Sequence, residues 1–141
     1  MVVRRTGTVS EEAHLSFVRE IWASIDRGGV EAALELAPGV RWRPHLASGK
    51  ILTSEELLEF FREFQGEREI LEARPYSFHA MGDLVLASGS FRLRGRDRLS
   101  EFQIHWVYEF EDDRLVQATS FANRREAVAA MGITEDEVKQ G

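Results

Sequence analysis

The side chains best suited to acid–base or metal chemistry near neutral pH are the four histidines, at positions 14, 45, 79 and 105. They are scattered along the chain with no close pair, which argues against a metal site. Cysteine is absent, which excludes disulfides, thiolate catalysis and zinc–sulfur sites. The sequence therefore predicts neither a metal nor a cofactor.

A second group of functional candidates lies on one strongly alternating segment in the last third of the chain. Its apolar positions recur with period two: Phe102, Ile104, Trp106, Tyr108 and Phe110. This pattern predicts an antiparallel strand with one face buried. Large aromatic side chains, one of them with a hydroxyl, suit a curved sheet that forms the wall of a pocket. Glu101, Glu109 and Glu111 fall on the opposite parity and are expected to be solvated.

The N-terminal half supplies helices that must position these side chains. A helix is predicted from Ser10 to Gly28-Gly29, followed by a short helix over 30–36 and a strand over 40–45. Thr53 and Glu56 form a Thr-x-x-Glu capping box ahead of a third, amphipathic helix that Gly66 closes.

The C-terminal half reads as a meander of strands. Residues 69–80 alternate with a phase change at Pro75, which predicts a bulge or an edge position. Turns are expected at 82–83, 95–97 and 112–113. Gly89 lies in mid-strand, where we interpret it as the bend of a curved sheet. Asn123 with Glu126 predicts the cap of a final short helix, and a further turn at 134–137 is left open.

Length and composition favour a single soluble domain. The chain has 141 residues and a net charge of −6, so we expect one domain over 1–141 with its core at about 10–131. The negative charge argues against a nucleic-acid partner. Two arginines precede Thr8 but no apolar run follows them, and no segment is long enough to cross a bilayer. The expected location is the cytoplasm, with no membrane partner.

Helices segregated to one face of an antiparallel sheet define an α+β fold. Three segments carry a closer resemblance: Asp26–Ala33 at the helix–helix turn, Val40–Pro44 on the first strand, and Leu115–Ala127 on the last strand and closing helix. With them the chain resembles SnoaL-like members of the NTF2-like superfamily. That resemblance implies a cone, in which a curved antiparallel sheet wraps a long N-terminal helix, with two further helices and a short C-terminal helix.

The resemblance also implies chemistry that this sequence lacks. Ketosteroid isomerases of this fold place a carboxylate base where Arg43 stands, and arginine stays protonated and cannot abstract a proton. Limonene-epoxide-hydrolase-like members need an arginine between two aspartates. The matching middle strand here, residues 86–90, is Leu-Ala-Ser-Gly-Ser and has neither residue type. The position of the aspartate on the last strand falls at or beside Ser120. Cyclase-like members need an acid in the cone, and no Asp or Glu lies on the inward parity of a confidently phased strand.

By the same resemblance, ligand-binding side chains should project into the cone. The candidates are Trp22, Trp42, Arg43, Phe60, Phe91, Trp106, Tyr108 and Phe121. The alternative is that these aromatics simply fill the core, and that Arg43 pairs with a surface glutamate. His45, where the family opens its pocket, is the candidate catalytic residue as a general base, with an exposed loop histidine as the alternative.

Three functions remain open on these residues. The first is binding of a small apolar or weakly anionic molecule in an aromatic-lined cone. The second is a small lyase, isomerase or hydrolase that uses His45. The third is an interaction module, for which relatives imply a homodimer through the outer face of the sheet, at Gln103, His105, Val107 and Glu109. A cone too narrow for any ligand would favour the third function.

Overall fold

The computed structural model describes residues 6–47, 50–65, 69–95 and 97–132. Within them the elements are α1 (Thr6–Leu36), β1 (Arg41–Arg43), a 3-10 turn (His45–Ala47), α2 (Ser54–Gln65), β2 (Glu69–Met81), β3 (Leu84–Arg94), β4 (Leu99–Glu111), β5 (Arg114–Phe121) and α3 (Arg124–Ala130). The α+β order predicted from the sequence is confirmed. Among these residues no helix is long and apolar enough to cross a membrane.

The strands form one five-stranded sheet in the order β1-β5-β4-β3-β2. Strands β2 to β5 make the predicted antiparallel meander, whereas β1 lies parallel to β5, with Trp42 opposite Ala118. A long stretch of chain separates β1 from β5, so no hairpin imposes an antiparallel pairing. The sheet is therefore mixed at this edge rather than antiparallel throughout.

α1 contains the break that the glycine pair predicts. Gly29 has φ 82° and ψ −176°, so two helical segments meet there at an angle. Glycine adopts this positive φ without the steric cost that a Cβ would bring. The segment before the break packs Val18, Ile21 and Trp22 against the sheet, and the segment after it contributes Ala33.

Local capping and bulge signals are confirmed. The Thr53 N–H donates to Glu56 Oε1 at 2.9 Å, and the Glu56 N–H donates to Thr53 Oγ1 at 3.1 Å, which is the reciprocal capping box. Asn123 Oδ1 accepts from the Glu126 N–H at 2.9 Å. The β2–β3 register shifts after Pro75. The predicted helix end at Gly66 and the turn at 134–137 lie outside the described residues.

The two faces of the sheet are covered by different helices. α1 and α2 pack on the face that carries Trp106 and Tyr108. α3 packs on the other face, where it buries Leu86 and Val107. This second face is the outer face proposed for a homodimer, and part of it is thus buried within the chain. Its remaining predicted members are Gln103, which is exposed, Glu109, which is half-buried, and His105, which is buried.

Candidate functional site

A small cavity lies between α1, α2 and the sheet. Its volume is about 30 Å³, which is enough for a water molecule or a small group but far below the space of a drug-sized ligand. The lining residues are Ile21, Ile25, Val30, Ala33, Leu34, Trp42, Leu57, Phe61, Phe91, Trp106 and Tyr108. The cavity thus brings together four of the predicted ligand-binding aromatics: Trp42, Phe91, Trp106 and Tyr108.

The aromatic wall comes from neighbouring strands in register. Trp42 and Tyr108 both pair with Ala118 of β5, from opposite sides, so all three share one face. Trp42 meets Trp106 edge to face at 5.8 Å between ring centroids, and Trp106 lies nearly parallel to Tyr108 at 6.2 Å. The Trp42 indole N–H donates to Ser54 Oγ at 3.0 Å, so it is already satisfied and fastens β1 to the start of α2.

Trp22 lies behind this wall, pressed onto the backbone of β3. It stacks on Phe91 with ring centroids 5.3 Å apart. A Cβ on Gly89 would stand 2.7 Å from Trp22 Cζ3 and 2.5 Å from the Arg74 carbonyl oxygen. Gly89 therefore permits the close approach of the indole ring, which is a more specific role than the sheet bend inferred from the sequence.

Tyr108 contributes a hydroxyl group to the cavity lining. It is 2% exposed, and burial raises the pKa of its phenol, so the hydroxyl stays protonated at working pH. The Trp22 side chain opposes that rise in the pKa of the phenol. Its buried Nε1 has no hydrogen-bond partner among the described residues.

The other predicted ligand-binding residues lie elsewhere among the described residues. Arg43 is exposed on the parity opposite to Trp42. Phe60 lines an open surface groove with Glu56, Glu59 and Lys50, outside the cavity. Phe121 packs with the α3 cluster on the other face of the sheet.

His45, the candidate base, is held at the end of β1 by Ser120. The His45 backbone N–H donates to Ser120 Oγ at 2.9 Å, and its ring Nδ1 lies 3.0 Å from the same oxygen. Ser120 is 2% exposed, so the imidazole has a fixed anchor. Burial lowers the pKa of His45, with Glu126 opposing the shift, and the ring is therefore neutral at pH 7. Ser120 sits opposite Trp106 in the sheet, but His45 does not line the described cavity.

His105 has a similar partner on the other face. Its Nδ1 lies 2.7 Å from Ser88 Oγ, and His105 is 8% exposed. The strand alternation predicts its outward parity correctly, but the expected surface position is wrong, because the side chain is buried within the chain. Strand alternation reports which face a residue lies on and not how deeply that face is covered.

The helical side of the cavity is not predicted by the sequence. Leu57 and Phe61 line it from α2, and Val30, Ala33 and Leu34 line it from the helix after the Gly29 break. Their signal was present as helical spacing, since positions four apart share one face of a helix. That spacing predicts a buried stripe but not that the stripe borders a cavity.

Comparisons with known proteins find similar folds and no similar sequence family. No protein-family model matches the chain, and no curated protein matches it. An NTF2-like protein of unknown function from Burkholderia pseudomallei is 22% identical, with a TM-score of 0.60, over 83% of this chain and 95% of that chain. A protein of Mesorhizobium loti described as SnoaL-like is 10% identical, with a TM-score of 0.58, over 75% and 96%.

A third solved structure, TerC co-crystallised with polyporic acid, is 16% identical with a TM-score of 0.63, over 86% of this chain and 97% of that chain. At such identities a likeness establishes fold and not activity. The chain therefore has the NTF2-like cone fold of SnoaL-like domains, as its resemblance implied.

Proposed function

We propose that this NTF2-like chain binds a small, neutral aromatic molecule in the cavity between α1, α2 and the sheet. The observation that carries the proposal is the cavity lining, in which large aromatic side chains surround one protonated phenol. A mostly apolar pocket with few polar groups is the common form of a small-molecule site. TerC, which has a similar fold, was crystallised with the organic molecule polyporic acid.

The lining favours a neutral ligand over an anionic one. None of the described lining residues is charged, so a carboxylate would lose its hydration without gaining a counter-ion. Arg43, the cation considered from the sequence, is exposed on the other parity of β1. The sequence predicts an apolar or weakly anionic ligand, and of these two we propose the neutral, apolar one.

The cavity must enlarge to admit a ring, and α2 is the wall best placed to move. Among residues 54–63 of α2, whose burial is described, Leu57 is a fully buried core side chain, while Leu58, Phe60 and Phe61 are half-buried. An element with little buried apolar surface opens at a low free-energy cost. Because binding must supply that cost, we expect dissociation constants of roughly 0.1–1 mM for a single-ring ligand.

The test is an NMR titration of the protein with ethylbenzene, in which the indole N–H signals are monitored. We expect saturable shifts of the Trp42 and Trp106 signals, since both rings line the cavity. Ala33→Leu fills the cavity from α1 and should abolish those shifts. Ala32→Leu changes the neighbouring, non-lining position and should bind like the wild type. Absence of saturation in the wild type, or equal binding by Ala33→Leu, would overturn the proposal.

A second candidate function, general-base catalysis by His45, is favoured by its contact with Ser120. In the tautomer whose Nδ1–H donates to Ser120 Oγ, the neutral imidazole of His45 keeps its lone pair on Nε2 and can accept a proton there. A suitable probe is the base-induced ring opening of 5-nitrobenzisoxazole, in which loss of the C3 proton breaks the N–O bond to give a cyanophenolate. We expect His45→Gln to lower any protein-dependent rate at least tenfold. Equal rates for the two proteins would exclude His45 as the base.

A further inference from the structure

The outer face of the sheet carries a patch of polar side chains beside α3. His105 on β4 pairs with Ser88 on β3, and Ser88 pairs in turn with Ser77 on β2, so the three lie in one row across the sheet. His79 lies on the same face in the next row, two positions beyond Ser77. These four residues form the outer-face patch, and none of them lines the cavity between α1, α2 and the sheet.

His105 is the most deeply placed imidazole of the outer-face patch. It is 8% exposed, and its Nδ1 lies 2.7 Å from the Oγ of the buried Ser88. That contact fixes the orientation of the ring, and its Nε2 has no hydrogen-bond partner among the described residues. Because Ser88 is small and lies on the strand between them, it leaves room for His105 and the half-buried His79 to approach one another.

Arg124 brings a permanent positive charge to the edge of this patch. It is the first residue of α3 and is half-buried. Val128, four positions later and therefore on the same side of the helix, is buried in the cluster that α3 forms with the outer face. Helical side chains lean toward the helix N-terminus. That end of α3 follows Phe121, which pairs with His105, so the guanidinium is directed toward the row of His105.

The electrostatics of the two histidines agree with this placement. Burial lowers the pKa of both His79 and His105, and the charge of Arg124 lowers both further. No described carboxylate opposes either shift, whereas Glu126 opposes the lowered pKa of His45. The fold therefore brings together groups of like charge, and an anion placed between them would relieve that repulsion.

We propose that His105, His79 and Arg124 bind a small, doubly charged oxyanion on the outer face of the sheet. The guanidinium offers a planar fork of donors to such a group. In the tautomer whose Nδ1 accepts from the Ser88 hydroxyl, His105 donates from its Nε2–H. This site lies on the opposite face from the cavity, so it stands independently of the proposed function.

Binding is linked to protonation of the two imidazoles. An oxyanion favours their charged forms, so it should raise the pKa of His79 and of His105. By the same linkage the affinity for the anion should increase as the pH falls from 7.5 to 5.5. The other described charged side chains on this face of β2, β3 and β4 lie in adjacent or more distant rows, and none of them is among the groups that shift these two pKa values: Glu72, Arg74, Arg92, Arg94, Glu101 and Glu109.

The test is an NMR titration with sodium sulfate near pH 6, with sodium chloride at equal ionic strength as the reference. Sulfate is the probe because its charge is constant over the pH interval. We expect saturable shifts of the Cε1–H signals of His79 and His105, and a higher pKa for both at saturating sulfate. Sodium acetate, which carries one charge, should bind at least fivefold more weakly than sulfate.

Two arginine variants provide a matched pair. Arg124→Gln should weaken sulfate binding by roughly tenfold, the loss of a hydrogen bond between charged groups. It should also raise the pKa of His79 and His105 in the absence of sulfate, because the charge of Arg124 lowers both. Arg125→Gln removes the same charge from the neighbouring, exposed position and should change the affinity by less than about twofold.

His79→Gln is a second variant, on β2 and away from the start of α3. It should weaken sulfate binding by roughly threefold, the size of one modest hydrogen bond. Three results would overturn the inference. The first is that sulfate and chloride shift the signals of His79 and His105 alike. The second is that Arg124→Gln and Arg125→Gln weaken sulfate binding equally, and the third is that sulfate shifts the signal of His45 but neither of the other two.

Discussion

Gly89 shows how one missing side chain determines the packing of the cone. Trp22 can lie against β3 only because no Cβ projects there. We expect Gly89→Ala to lower the free energy of unfolding by about 1–3 kcal/mol, the usual cost of overpacking. Chemical denaturation would measure this change.

The contact can be isolated by a double-mutant cycle with Trp22→Phe, which removes part of the ring edge over Gly89. The double variant should be less destabilised than the sum of the two single variants, because the clash is shared. If the two changes in unfolding free energy add exactly, the destabilisation by Gly89→Ala comes from the Arg74 carbonyl oxygen, 2.5 Å from the hypothetical Cβ, and not from Trp22.

A substitution of Trp106 distinguishes a tightly packed cavity wall from an open pocket. It is 5% exposed and borders a cavity of about 30 Å³, so most of its surface is in contact with other side chains. We expect Trp106→Ala to cost about 3–5 kcal/mol of stability, as for a core aromatic. Tyr76→Ala, at a position 52% exposed, is the control and should cost about 0.5 kcal/mol or less. A Trp106→Ala variant nearly as stable as wild type would indicate a large open pocket instead.

The capping box of α2 connects helix stability to the cavity. Thr53→Ala removes the acceptor for the Glu56 N–H and should destabilise α2 by about 1 kcal/mol. Since Leu57 and Phe61 line the cavity from α2, we expect faster amide exchange in α2 and altered ethylbenzene affinity. Hydrogen exchange and the NMR titration would measure the two effects.

Asn123→Ala provides the matched control, because Asn123 caps α3 on the opposite face of the sheet. It should destabilise α3 by a similar amount and leave ethylbenzene affinity unchanged. Equal effects of both caps on binding would contradict α2 as the moving wall.

Much of the element pattern could be predicted from the sequence because its signals are local. The glycine pair broke α1 at Gly29, the Thr53–Glu56 box started α2, and Pro75 marked the β2 bulge. Each of these residues acts through its own backbone or a partner three positions away.

The site was less predictable because its members come from distant parts of the chain. In β5, Ala118 pairs with Tyr108 and Ser120 pairs with Trp106, so these two residues share the cavity face of the sheet. Phe121 is the next residue and therefore lies on the opposite face, toward α3. The Ser120–His45 contact spans 75 positions. No spacing rule reports such pairs, which depend on the parallel addition of β1 to β5.

The stability of the whole molecule should depend on pH through three histidines. Burial lowers the pKa values of His45, His79 and His105 from 6.5. Between the folded and unfolded pKa values the unfolded chain binds more protons, so the free energy of unfolding rises with pH there. We expect stability to fall as the pH decreases from 7.5 to 5.5, as measured by denaturation curves.

His79→Gln tests the origin of that dependence. The variant removes one group whose pKa is lowered by burial and by Arg124, so its stability should change less over the same pH interval. The pKa of Glu20 is lowered from 4.5, so its contribution is lost only at lower pH and does not disturb the comparison. A wild type whose stability increases toward pH 5.5 would contradict the histidine assignment.

The most direct measurement of the central proposal is a crystal structure of the protein soaked with 4-bromoacetophenone. We expect an anomalous bromine peak inside the cavity between α1, α2 and the sheet, with the ring against Trp106. A peak confined to the surface groove at Glu56, Glu59 and Phe60, or no peak at a saturating soak, would contradict ligand binding in the cone.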